Sequence, residues 1–226
     1  MSGKSLRLAV TYGPCSSLHA RTDQVKGSFI DLLSINRGHF ALESGLHGDV
    51  WFDLENVFVR PSSIEPFIGD LAKLLSEYDL SALCGALVGG AFVAYSVALR
   101  MGVDFFYTER TVGKTSTGSK RIDYRVPRPL HSAVANRRIG IVDDVINAGS
   151  AVIKTCEDLR SLGGNPIVMA SILTVGGPSP KQLSNEYPPV VSLEHLESNL
   201  WPASECPLCR SGVPLVDPYE TRIGLG

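Results

Sequence analysis

The stretch Arg138-Ile139-Gly140-Ile141-Val142-Asp143-Asp144-Val145-Ile146-Asn147-Ala148-Gly149-Ser150-Ala151-Val152 sets two adjacent acids between an apolar run and a turn of small residues. The apolar run has the length of a buried strand, and Ser150 to Leu162 has helical periodicity. The acids therefore stand at the carboxyl end of a strand, and the small residues open a helix. Ligands of open α/β sheets bind at that place, and the unpaired N–H groups of a helix start favour phosphate. Gly149 allows close backbone approach, and Ser150 adds a hydroxyl donor. Two carboxylates would repel a phosphate, but they accept hydrogen bonds from ribose hydroxyls and stabilise a cation-like sugar centre. Acids for a sugar beside amides for its phosphate suit a phosphorylated ribose. The bland alternative is an ordinary strand-to-helix turn with solvated acids at its rim.

The elements that must position this turn are legible from periodicity. Phe29, Ile30, Leu32, Leu33 and Ile35 recur at helical spacing before Gly38, which predicts a short helix. His39 to Leu42 and Val50 to Leu54 read as two short strands around a Gly-containing loop, a hairpin that could form a hood. After Pro61, Ser62 with Glu65 suits a capping box for a helix that presents Ile64, Phe67, Ile68, Leu71, Leu74 and Leu75. Ala82 to Val88 predicts a strand ending at Gly89-Gly90, followed by a helix over 91–101 and a strand over 103–107. Residues 108–137 are polar and basic and read as a loop, with room for a strand pair at its flanks. Ile167 to Val175 predicts another strand, and the Pro-rich chain from Pro178 reads as irregular. Alternating strands and helices imply an α/β fold: an open, mostly parallel sheet with helices on both faces, plus a small N-terminal hood. The expected division is a leader over 1–27, one domain over 28–218 with the hood at 28–60, and a tail over 219–226.

Composition excludes several classes. The chain has 226 residues, 44% of them hydrophobic and 19% charged, with a formal charge of -2. That charge argues against a nucleic-acid partner held by a broad basic surface. No apolar run reaches the roughly 18–20 residues a spanning helix needs, so no membrane partner is expected. Five cysteines are an odd, scattered set, which fits a reducing cytoplasm better than a secreted disulfide framework. Residues 1–26 hold Lys4, Arg7, Arg21 and Lys26 against one acid, Asp23, a faint likeness to a transit segment whose plainer reading is a loose leader. Cys206 and Cys209 form a single CxxC with His195 upstream; zinc would need two further good ligands, so a buried structural tail is the expectation, with a metal site and a redox pair as the other readings. His39 and His47 either contact a ligand in the hood or make local hydrogen bonds. Trp51 and Phe52 are candidates to stack on a base, with packing under the hairpin as the alternative for one of them.

With the acidic turn, three further stretches carry a resemblance. They are Gly38-His39-Phe40 with Ser44-Gly45-Leu46-His47 and Phe52-Asp53, Gly85-Ala86-Leu87-Val88-Gly89-Gly90 with Val93-Ala94-Tyr95, and Cys206-Pro207-Leu208-Cys209 with Gly212-Val213-Pro214-Leu215. The turn resembles the phosphoribosyl-pyrophosphate motif of type I phosphoribosyltransferases, and most of Ile35 to Pro218 is similar to the orotate phosphoribosyltransferase family within that class. The resemblance implies transfer of the 5-phosphoribosyl group to orotate in pyrimidine synthesis. It also implies Mg²⁺ as cofactor, carried by the substrate and touched by Asp143 and Asp144 rather than held in a separate protein site. It assigns the ribose phosphate to Asp143, Asp144, Val145, Asn147, Ala148, Gly149, Ser150 and Ala151. Pyrophosphate falls to Val88, Gly89, Gly90, Arg110 and Lys114, and the base to Trp51, Phe52 and Thr174. Asp143, Asp144, Arg110 and Lys114 are the implied catalytic set, on a homodimer whose loops reach the neighbouring site.

The chain departs from the family at Asn36, where many members have a basic residue, and at Gly89, where some have Lys. It also departs at Thr174, where a subgroup has an Arg expected to meet orotate's carboxylate. Two further readings follow: transfer to a base other than orotate, and a non-catalytic regulator that binds phosphoribosyl pyrophosphate.

Overall fold

A computed structural model describes residues 27–114, 120–176 and 186–218, with the side chains of Lys114 and Lys120 outside the described set. The expected leader over 1–27, but for Gly27, and the expected tail over 219–226 lie outside the described residues, as do 115–119 and 177–185. The first described element is a single 3-10 turn, Phe29–Leu32, rather than the predicted helix. Leu33 is extended, and strand β1, Ser34–Ala41, begins at once. Ile35, Asn36 and Arg37 pair with Phe52, Trp51 and Val50 of strand β2, Leu46–Asp53. Cross-strand pairing wins over helical spacing because a one-turn helix is too short to be stable alone. The turn has a true capping box, Ser28 with Asp31, and Glu194 accepts from Ser28 Oγ (2.6 Å) and the Phe29 amide (2.7 Å).

Helix α1, Glu55–Val59, leads into α2, Pro61–Leu75. The capping box expected at Ser62 and Glu65 does not form. Arg60 is the N-cap without a side-chain bond, Pro61 opens the helix, and Glu65 pairs with Arg100. Pro at the first helical position supplies a fixed φ and no orphan N–H, so the cap is dispensable. Ile64, Phe67, Ile68, Leu71 and Leu75 are buried on one face of α2, at about 1.5–3 kcal/mol each.

Strand β3, Ala82–Ala86, helix α3, Gly89–Met101, and strand β4, Asp104–Lys114, follow the expected order. The predicted loop at 108–137 is largely ordered: β4 turns back as β5, Lys120–Arg125, with Arg110 opposite Tyr124, and a short helix α4, His131–Val134, closes the segment. Then come β6, Arg138–Ile146, α5, Ser150–Ser161, and β7, Asn165–Val175. The tail is less irregular than its composition suggests, with β8, Val190–Leu196, β9, Leu200–Pro202, and α6, Pro207–Arg210.

The main sheet has the order β5-β4-β3-β6-β7-β8 and is parallel except at β5. Alternate residues feed two cores: Leu83, Val142 and Ala170 face α2 and α3, while Cys84, Ile141 and Met169 face α5 and Val134. A second antiparallel sheet, β1-β2-β9, forms the hood. Asp49 fastens it by accepting from Ser198 Oγ (2.7 Å) and from Asn199 N (3.0 Å) and Nδ2 (2.8 Å). Burial opposes ionisation of Asp49, yet these bonds hold it below the ordinary carboxylate range.

The β4-β5 hairpin is tied to the sheet through Asp158 of α5, which accepts from Arg125 Nη1 (2.7 Å) and the buried Val126 amide (2.8 Å). Asp158→Ala leaves that amide unsatisfied and should cost about 1–3 kcal/mol. Urea unfolding measures this, and an unchanged midpoint would contradict the anchoring role.

Candidate active site

The carboxyl ends of β3 and β6, the hood and the start of α5 enclose a cleft of about 520 Å³. Asp143 and Asp144 end the apolar part of β6 and are almost fully buried, 8% and 7% exposed. Asp143 Oδ1 accepts from the Asp144 amide (3.1 Å), and Asp144 Oδ1 from the Val145 amide (2.8 Å). Burial first, and the neighbouring Asp144 charge second, push Asp143 well above the usual carboxylate range; burial also raises Asp144. Two desolvated acids side by side form a site that favours positive charge or a hydroxyl donor.

Gly89 and Gly90, at the start of α3, allow the acids to sit where they do. A Cβ on Gly89 would run into the Asp144 carboxylate and come within 3.0 Å of Phe58; one on Gly90 would meet the Asp143 carboxylate and lie 3.1 Å from the Val142 carbonyl. The Gly at position 89, where some family members have Lys, is thus matched to the position of Asp144. Across the cleft Gly149 takes φ 80° as the N-cap of α5, a left-handed conformation that turns the chain from strand to helix. Among the described residues, Asn147 Oδ1, buried on this wall, has no hydrogen-bond partner.

Asp143, Asp144, Val145, Asn147, Ala148, Gly149, Ser150, Ala151, Val88, Gly89, Gly90, Arg110, Trp51 and Phe52 all line the one cleft. Thr174 does not. It is 5% exposed, and its hydroxyl is bonded among Ser192 Oγ (3.1 Å), His195 Nδ1 (3.0 Å) and the Glu194 carbonyl (3.3 Å). The hydroxyl is directed at β8, which pairs beside β7, so the structure does not bring Thr174 together with the other expected base-binding residues. The Lys114 side chain lies outside the described residues. Phe52 belongs to the main core as well as the cleft wall, and Trp51 packs obliquely on Phe40, ring centroids 6.5 Å apart.

Sequence reading passed over Glu43, Tyr124, Phe58 and Phe92, which also line the cleft. Arg110 Nε donates to Glu43 Oε1 (2.6 Å), and the Tyr124 hydroxyl to Oε2 (3.0 Å). Burial, then the Glu43 charge, pushes the Tyr124 phenol upward, so it remains a donor. Glu43 thereby joins the hood loop to the β4-β5 hairpin. Its one sequence signal is its place beside Ser44-Gly45; Tyr124 was hidden in a segment read as loop. Phe58 and Phe92 form a tilted pair, centroids 5.4 Å apart.

No family model matches the chain. Over 201 residues, 89% of this chain and 98% of the relative, it is 31% identical to the orotate phosphoribosyltransferase of Caldanaerobacter subterraneus subsp. tengcongensis. The chain belongs to the orotate phosphoribosyltransferase family. The crystal structure of orotate phosphoribosyltransferase from Aeropyrum pernix is 25% identical, with a TM-score of 0.53 over 72% of this chain and 88% of that one. The adenine phosphoribosyltransferase of Thermoanaerobacter pseudethanolicus shares the fold at 17% identity, with a TM-score of 0.54 over 65% of this chain and 88% of that one. Membership of the orotate phosphoribosyltransferase family thus accounts for the mostly parallel sheet. Among the described residues no helix is long and apolar enough to cross a membrane.

Proposed function

We propose that the chain transfers the 5-phosphoribosyl group of phosphoribosyl pyrophosphate to orotate, giving orotidine 5′-monophosphate and pyrophosphate. The observation that carries this reading is the buried Asp143-Asp144 pair, seated against Gly89-Gly90 on one side and the α5 start on the other. The amides from Asn147 to Ser150 hold the 5′-phosphate, and the acids accept from the ribose hydroxyls. Breaking the C1–O bond sends its electron pair away with pyrophosphate; a ring nitrogen of the base forms the new bond to C1, and the proton that nitrogen carried passes to the departing pyrophosphate or to solvent. Positive charge builds on the ribose as that bond breaks, and Asp143 and Asp144 stabilise it from fixed positions. Val88, Gly89 and Gly90 face pyrophosphate through main-chain groups. Arg110, oriented by Glu43, and Lys114 of the same strand neutralise it.

The oxygen-rich wall of Asp143, Asp144 and Glu55 fits a hard divalent cation brought in by the substrate. Mg²⁺, when bound, supplies neutralising charge to the leaving group. Trp51, with Phe58 and Phe92, offers the base aromatic surface. The setting is the cytoplasm and the assembly a homodimer.

Pyrophosphate release from the purified protein with Mg²⁺ and phosphoribosyl pyrophosphate, across orotate, uracil and the purines, tests the reading. Release with orotate alone is expected. Release with another base but not orotate would replace the substrate, and no release with any base would leave a binding protein in place of an enzyme.

A further inference from the structure

Away from the cleft, four side chains with metal-binding atoms converge where the hood meets the C-terminal segment. His39 lies on β1, His47 on β2, and Cys206 and Cys209 flank the start of α6. Their ligand atoms all lie within 4.8 Å of one another. His39 Nε2 is 2.9 Å from His47 Nδ1, 3.3 Å from Cys206 Sγ and 3.6 Å from Cys209 Sγ, and Cys209 Sγ is 3.3 Å from His47 Nδ1. With Zn–N near 2.0–2.1 Å and Zn–S near 2.3 Å, the edges of a tetrahedron around zinc are about 3.3–3.8 Å, close to this set. We propose that His39, His47, Cys206 and Cys209 form a structural zinc site that staples the hood hairpin to the C-terminal segment.

The surroundings point the same way. His39 Nδ1 lies 2.9 Å from the Val213 carbonyl, which has no proton to give, so Nδ1 carries the hydrogen and Nε2 presents a lone pair to the other three atoms. A backbone carbonyl that fixes the tautomer of a ligating His is the usual outer partner of a zinc ligand. A single shared proton could satisfy the His39–His47 edge alone, whereas a tetrahedral cation satisfies all four atoms. Both thiols are free of disulfide. His39, His47 and Cys206 are buried, and Cys209 is exposed, which leaves a way in for the ion. His195, the histidine nearest the CxxC in sequence, is not part of the cluster; it sits against Thr174 and Glu197.

The staple has a consequence for the cleft. His39 and His47 bracket the turn that carries Leu42, Glu43 and Ser44 into the cleft wall, and the C-terminal segment reinforces it through Ala41 N to Val216 O and Val216 N to His39 O, both 2.9 Å. Cys206 is 167 residues from His39, so the ion closes a very long loop.

Full-length protein purified without chelators from zinc-replete cells should carry close to one zinc per chain by elemental mass spectrometry. Replacement by Co²⁺ should give thiolate-to-cobalt charge transfer and the strong visible bands of tetrahedral coordination. Cys209→Ser, at the exposed ligand, should lose most of the zinc and weaken the charge transfer, and His195→Gln should keep both. A wild-type protein that retains neither Zn²⁺ nor Co²⁺ when reduced would overturn the proposal, as would full zinc retention in Cys209→Ser or a Cys206–Cys209 disulfide in freshly purified material. The wild-type metal content decides even if a variant fails to fold, and failure here leaves the phosphoribosyl-transfer reading untouched.

Discussion

Asp144→Asn is expected to lower kcat by about 10²–10³-fold, ~2.7–4 kcal/mol, the usual cost of removing one preorganised electrostatic group. Asn keeps the Oδ1 acceptor for the Val145 amide, so the loss would report charge rather than local unfolding. Asp143→Asn should behave similarly and should also make the protein more stable at neutral pH. Burial raises the folded-state pKa of Asp143, so above the ordinary carboxylate range the unfolded chain releases a proton that the folded state holds. Stability therefore falls as pH rises from the unfolded value through the folded one, and Asn removes that loss. Urea midpoints of wild type and Asp143→Asn should coincide at acid pH and separate toward neutrality, with the variant higher. A variant that is less stable at neutral pH would show that some unrecognised partner compensates the buried charge.

Gly90→Ala should produce the other large effect. Its Cβ would meet the Asp143 carboxylate, the Val142 carbonyl at 3.1 Å and the Asp143 Cα at 3.2 Å. Overpacking of this kind costs about 1–3 kcal/mol. The carboxylate is the softest of the three neighbours, so it moves first, and a catalytic group misplaced by about 1 Å can cost 10²-fold in rate. A double-mutant cycle locates the collision. In an Asp143→Ala background the stability cost of Gly90→Ala should shrink, because the two sites share one volume. An equal cost in both backgrounds would place the strain in the backbone instead. Gly113→Ala, with nothing within 4 Å of the added Cβ, should stay within about ±0.5 kcal/mol.

These two predictions meet at one contact between segments more than fifty residues apart, and that separation marks the limit of what can be read from a linear chain. The Asp143 to Ala151 turn is contiguous: apolar run, acids, small residues and amphipathic helix follow one another, and each local preference agrees with the next. Strands β3, β4, β6 and β7 of the parallel core and the helices between them were legible for the same reason, whereas β8 was not. Misreadings came where a local pattern was overruled from a distance. Ile35 joined a strand because Phe52 pairs with it, and the capping pattern at Ser62 and Glu65 lapsed because Pro61 and Arg100 made it unnecessary. The basic segment after Thr108 gave no periodic signal, yet it forms a hairpin because β4 extends past the sheet and Asp158 receives its return.

By itself the amino-acid order determined the α/β class, the acidic strand-to-helix turn and the resemblance to a family, because these reside in short-range patterns of burial, turn chemistry and spacing. Only the tertiary structure decided which side chains face one another. It turned Thr174 toward Ser192 and His195, brought Glu43 to Arg110 and Tyr124, and gathered His39 and His47 around Cys206 and Cys209. The physical reason is that facing depends on strand register and sheet order, where a shift of one residue moves a side chain to the opposite face.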